Sequence, residues 1–185
     1  MAGWFLHFAE EYKRARHTYG FGVHSPYAYN LVRLLRMRRD VGFYADGEIS
    51  EAALSESGSR LRATALRFHR LCSAFTEGRV YVSPSAPAAI GLAATLASSR
   101  LKMIDNVSEN QKFDVGYFRM KDIPLPALEG ILSSGCPLAM VEGLSETEAC
   151  ATARKAGTSL LLTGPRMAIF VRRQGMRPVS YTVRI

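Results

Sequence analysis

Asp105, Asp114, Arg119 and Glu142 stand at or beside the ends of short apolar runs, and Ser83 and Ser85 follow another such run. In an open α/β sheet the ligand lies beyond the carboxyl ends of the strands, so charged and hydroxyl groups there are placed to bond it. Local duties compete with that use. Asp is a common turn residue after a strand, and an acid ahead of a helix suits the helix's positive end. His24 has a side chain whose ordinary pKa suits a general base near neutrality. No carboxylate or nucleophile neighbours it in the chain, and fixing the start of the next helix is the simpler role. His7 and His17 are too far apart for a metal pair one helical turn apart, and His69 follows Phe68 on another helix. No Gly-x-Ser-x-Gly elbow, Gly-Lys-Ser/Thr phosphate loop or Cys-x-x-Cys occurs, and no triad can be read around Ser83-Pro84-Ser85.

The elements that position these groups can be read from periodicity. Trp4, Phe8, Tyr12 and Ala15 recur at helical spacing over residues 4–18. The block from Tyr19 to Tyr29 then joins two basic amphipathic segments. Gly20 and Gly22 permit backbone angles closed to other residues, and Ser25-Pro26 reads as an N-cap followed by proline at the first helical position. A helix is expected from Pro26, carried by Tyr29, Leu31, Val32, Leu34 and Leu35. Residues 41–58 hold three glycines and read as a mobile connection, and a helix over 59–76 follows.

Beyond Gly78 strands and helices alternate. Strands are expected at Val80–Val82, Leu101–Asp105, Phe113–Phe118 and Leu138–Val141, then at Ser159–Thr163, Met167–Arg172 and Val179–Arg184. Helices are expected over Ala88–Ser98, over 125–134, and from the capping box Ser145-Glu146-Thr147-Glu148 to Gly157. Such alternation argues for a mostly parallel sheet with helices on both faces, and the terminal strand-turn-strand for an antiparallel C-terminal edge hairpin. The chain is expected to form one compact unit, with residues 1–77 as a helical extension packed on a Rossmann-like α/β domain at 78–185.

The block Gly20-Phe21-Gly22-Val23-His24-Ser25-Pro26-Tyr27 resembles the N-terminal signature of a bacterial family of class I S-adenosylmethionine-dependent methyltransferase-like proteins. The resemblance spans most of the chain, in detail at 19–29 and in outline from 78 to 185. It implies a Rossmann-like sheet with one late strand inserted antiparallel to its neighbours. It also implies S-adenosylmethionine as cofactor, with Ser83 and Ser85 at the methionine portion, Asp105 on the ribose, and Asp114 as the strand-start acid on the substrate side. The family's loop after the first strand carries an acid and spaced glycines. Here it reads Val82-Ser83-Pro84-Ser85-Ala86-Pro87, and proline neither donates an amide nor imitates glycine. Arg119 stands where the family has a terminal acid. Only seven residues separate Asp105 from Phe113, too few for a crossover between neighbouring parallel strands. Either these strands are not parallel neighbours, or one edge helix-strand unit is missing.

Composition sets the remaining bounds. The chain of 185 residues is 48% hydrophobic and 22% charged, as in ordinary globular proteins. Its apolar run Ala86–Ala97 is too short to span a bilayer and no export leader is read, so a cytoplasmic protein without a membrane partner is expected. Three scattered cysteines fit reduced thiols better than a disulfide frame or zinc site. The net charge of +8 lies largely on early helices, where arginines form either solvated faces or a footprint for nucleic acid or a protein partner. Three functions remain open: a methyltransferase-like protein degenerate at its cofactor loop, an active S-adenosylmethionine-dependent methyltransferase, and a basic nucleic-acid-binding protein. No catalytic residue and no metal ligand is assigned.

Overall fold

The computed structural model describes residues 23–36, 43–104, 112–134 and 136–183. The helix expected over 4–18, Gly20, Gly22 and Asp105 lie outside the described residues. Within them the helices are α1 (Pro26–Leu35), α2 (Asp46–Glu56), α3 (Ser59–Cys72), α4 (Ala88–Ala97), α5 (Leu125–Ser134) and α6 (Glu146–Lys155). The strands are β1 (Gly78–Val82), β2 (Leu101–Ile104), β3 (Val115–Arg119), β4 (Leu138–Glu142), β5 (Leu160–Thr163), β6 (Met167–Val171) and β7 (Val179–Thr182).

They form a single sheet in the order β2-β1-β3-β4-β6-β5-β7. β1 pairs in parallel with both β2 and β3, and β3 in parallel with β4. β6 runs antiparallel between β4 and β5, and β7 closes the edge parallel to β5. The expected α/β class and mostly parallel Rossmann-like sheet are therefore present, with one late strand inserted in reverse. One detail differs. β6 and β7 are not bonded to each other as a hairpin, because β5 lies between them. β2 and β3 are not neighbours, since they sit on opposite sides of β1.

Successive side chains of a strand face opposite sides, and here both sides are covered. Val80, Tyr117, Met140, Leu160 and Ile169 point into a core shared with α1, α2, α3 and α4. Their neighbours Tyr81, Phe118, Val141, Leu161 and Phe170 point into a second core with α5 and α6. The helices preceding β1 thus complete one face of the sheet rather than forming a separate body.

Local signals hold where they were strong. Ser25 Oγ accepts the Ala28 amide at 3.3 Å with Pro26 in the first turn. Ser145 and Glu148 form the reciprocal capping box, and Gly157 turns the chain after α6 with φ of +64°. The mobile connection read over 41–58 is a correction: α2 occupies most of it. Its buried stripe is only Ile49 and Ala53, with Ala45 just ahead, so its pattern is faint.

Candidate functional site

The carboxyl edge of the parallel strands gathers the loop after β1, the ends of β3 and β4, and the start of β6. β1 ends at Val82 and the chain turns at once: the Ser83 amide donates to the Tyr117 carbonyl, and the Ala86 amide to the Ser83 carbonyl. The Ser83 hydroxyl is buried and accepts the Arg119 amide at 2.9 Å. Ser85 donates its amide and its hydroxyl to Asp122 Oδ2, at 3.2 and 2.6 Å. Partial desolvation raises the Asp122 carboxyl, but the bonds from Ser85 and Ser83 and the charge of Lys121 outweigh it and hold the group below its ordinary value. Both serines expected to meet a cofactor are thus committed to their own chain.

Arg119, at the end of β3, closes the loop further. Its Nη1 donates to the Ser85 carbonyl at 2.6 Å, and its Nε pairs with Glu142 Oε2 at 2.9 Å. The Tyr117 hydroxyl donates to that same oxygen at 2.9 Å. Desolvation and the adjoining Glu142 charge push the Tyr117 phenol up, against the opposing pull of Arg119. Arg119 and Glu142, both singled out as strand-end groups, are therefore one connected unit.

The amino end of α4 completes the picture. In a strand-turn-helix unit this end bears unpaired amides and a positive dipole, and it is where an anionic group of a ligand is held. Pro87 precedes the helix and provides no side-chain cap. Instead Glu56, the last residue of α2, reaches the amides of Ala88 and Ala89 with its two carboxylate oxygens, at 3.0 and 3.2 Å. The anion at this helix end is the protein's own. Glu56→Ala should cost about 1 kcal/mol, the usual worth of a lost cap, and thermal melting of the variant would show a fall of about 3 °C. An unchanged melting temperature would mean that water serves the two amides equally well.

The other residues expected at the site are placed differently. Asp114 lies at the amino edge of the sheet, ahead of β3, where its Oδ2 accepts the Arg79 amide at 2.8 Å. A Cβ on Gly78 would fall 2.6 Å from that oxygen, so the close approach requires glycine there. Asp114 is not brought together with Ser83 and Ser85. His24 is exposed, and the start of α1 is capped by Ser25 rather than by it. Pro26 takes its first-turn place, and Tyr27 beside it stacks under the Arg173 guanidinium, 4.5 Å from the ring centre. Cys72 and Cys136 are buried and free, and burial pushes the Cys136 thiol up to about 12. Among the described residues no three His, Cys, Asp or Glu side chains group to hold a metal ion, and no helix is long and apolar enough to cross a membrane.

Above this edge, between it and α3, lies a cleft of about 230 Å³. Arg60, Thr64 and Arg67 line it from the helix, and Tyr117, Arg119, Glu142 and Arg166 from the sheet. Sequence reasoning placed Arg60 and Arg67 only in a diffuse basic field and gave Arg166 no role. Their shared cleft depends on α3 crossing the edge, which no local pattern announces.

No family model, curated protein or solved structure matches the chain. The fold and the edge geometry therefore carry the functional argument.

Proposed function

We propose that this is a methyltransferase-like protein of the S-adenosylmethionine-dependent class that no longer uses the cofactor and acts by binding. The observation that carries the proposal is the Glu56 carboxylate seated on the Ala88 and Ala89 amides. A second carboxylate, that of a methionine portion, would meet like charge at that point. The surroundings fit the cofactor no better. Ser83 and Ser85 are bonded to Arg119 and Asp122, and Arg119 ties the Ser85 carbonyl to Glu142. Pro84 and Pro87 hold the loop where glycines would let a ligand approach the backbone. At the sheet edge β2 has only four residues, with Lys102 and Met103 exposed, so it builds little wall beside a bound nucleoside.

A fold does not by itself give an activity, and the arrangement describes a site closed from within. The contact surface for a partner, protein or nucleic acid, is then sought on the basic helices ahead of β1. There Arg60 and Arg62 are exposed on α3, whereas Arg70 is buried and is no part of that face.

Mass spectrometry of the denatured, purified protein tests the proposal, followed by thermal melting with S-adenosylhomocysteine near 1 mM. The expected outcome is no adenosyl compound and no shift. A 10 μM site would stabilise the protein by about 2.7 kcal/mol at that concentration, and a shift of that size would overturn the proposal.

A further inference from the structure

The cleft under α3 is unusual in its charge. Four arginines and one glutamate line it, leaving a net charge of +3 among the described residues. The glutamate is already used, since Glu142 pairs with Arg119 and accepts the Tyr117 hydroxyl. Arg60, Arg67 and Arg166 have no carboxylate partner among the described residues. Arg60 and Arg67 stand seven residues apart and so share one face of α3, opposite Arg166 just ahead of β6.

Arg67 is the telling member. It is half-buried, and its Nε is out of contact with solvent yet has no hydrogen-bond partner among the described residues. Desolvation and the nearby charge of Arg70 both work against its cation. A donor withdrawn from water without an acceptor is costly, and an anion in the cleft would remove that cost. The planar guanidinium offers paired N–H donors that match the oxygens of a phosphate. A single carboxylate would neutralise one of these three cations, whereas a phosphate or diphosphate group can face all three. Walls on both sides favour a compact ligand over a nucleic-acid strand.

We propose that this cleft binds a small phosphorylated compound, with Arg60, Arg67 and Arg166 as the groups that hold its phosphate. The site lies between α3 and the ends of β3 and β4, and it shares Pro87, Arg119 and Glu142 with the closed edge.

Calorimetric titration of the full-length protein with inorganic pyrophosphate tests this, with malonate and a short single-stranded RNA as alternative probes. Saturable pyrophosphate binding is expected, stronger than that of malonate. It should weaken by at least about tenfold in Arg67→Ala, as for loss of a charge-assisted bond. The exposed pair Arg60→Ala/Arg166→Ala should weaken it as well, and it decides the matter should Arg67→Ala not fold. Absence of pyrophosphate binding to the wild-type protein, equal affinity in the variants, or binding of the RNA alone would overturn the proposal. S-adenosylhomocysteine is titrated separately, so the fate of the cofactor reading does not affect this outcome.

Discussion

Asp46→Ala should lower the stability of the protein by about 3–5 kcal/mol, the range for breaking a buried ion pair from one side. Arg70 is only 2% exposed, and its one ion contact among the described residues runs from Nη2 to Asp46 Oδ2 at 3.3 Å. Among the described residues its Nε and Nη1 have no partner, and it also lies over the face of Phe43, 5.3 Å from the ring centre. Without Asp46 a guanidinium would stay buried with no counter-charge from the described residues. The same carboxylate also accepts the Phe43 amide at 3.1 Å, so the chain leading into α2 loosens too. A fall in melting temperature of roughly 10 °C is expected for a chain of this size. The double variant Asp46→Ala/Arg70→Met should recover most of the loss, because a pair replaced by apolar groups no longer pays for desolvation. If the double variant melts as low as the single one, the pair's charge is not the cause. The consequence reaches the edge site as well, since the pair pins α2 to α3. α2 delivers Glu56 to α4, and α3 carries Arg60 and Arg67.

Gly116→Ala should cost about 2–3 kcal/mol, the upper part of the range for overfilling a core. Gly116 is the second residue of β3, and a Cβ there would stand 2.5 Å from Phe118 Cε2 and 2.9 Å from Phe113 Cε2. Both rings are buried and packed with Tyr81, at centre separations of 5.8 Å between the two phenylalanines and 5.0 Å between Tyr81 and Phe118. Neither ring can turn aside without disturbing the other. Chemical denaturation would show the loss as a lower midpoint. Wild-type stability in Gly116→Ala would show that the ring cluster has slack. Because β3 ends in Arg119, a displaced strand would also loosen the contacts to Ser85 and Glu142.

What could be read in the sequence was what is local in the chain. The Ser25-Pro26 start and the Ser145–Glu148 box each lie within four residues, and both are present in the structure. The apolar runs gave nearly every strand, because strands buried on both faces leave uninterrupted hydrophobic stretches. α2 escaped because Ala45, Ile49 and Ala53 make a narrow stripe of mostly small side chains. The last strands were expected to pair as chain neighbours, yet the sheet seats β5 between β6 and β7.

The site was half legible for the same reason. Arg119 and Glu142 could be singled out as strand ends, and they are joined at 2.9 Å. Glu56 could not, because its partners lie 32 and 33 residues onward and its own stretch reads as a loose connection rather than a helix. Asp114 carried a strand signal that was true of its position in the chain. It was silent on which edge of the sheet the side chain would serve, and that is the amino edge.

The measurement that tests the closed edge most directly is calorimetric titration of the full-length protein with S-adenosylmethionine. Glu56 on the α4 amides and Arg119 on the Ser85 carbonyl predict no heat of binding with ligand near 1 mM, well above a typical cofactor affinity. Saturable binding in the micromolar range would contradict the account, since the cofactor would then have displaced the groups said to stand in its place.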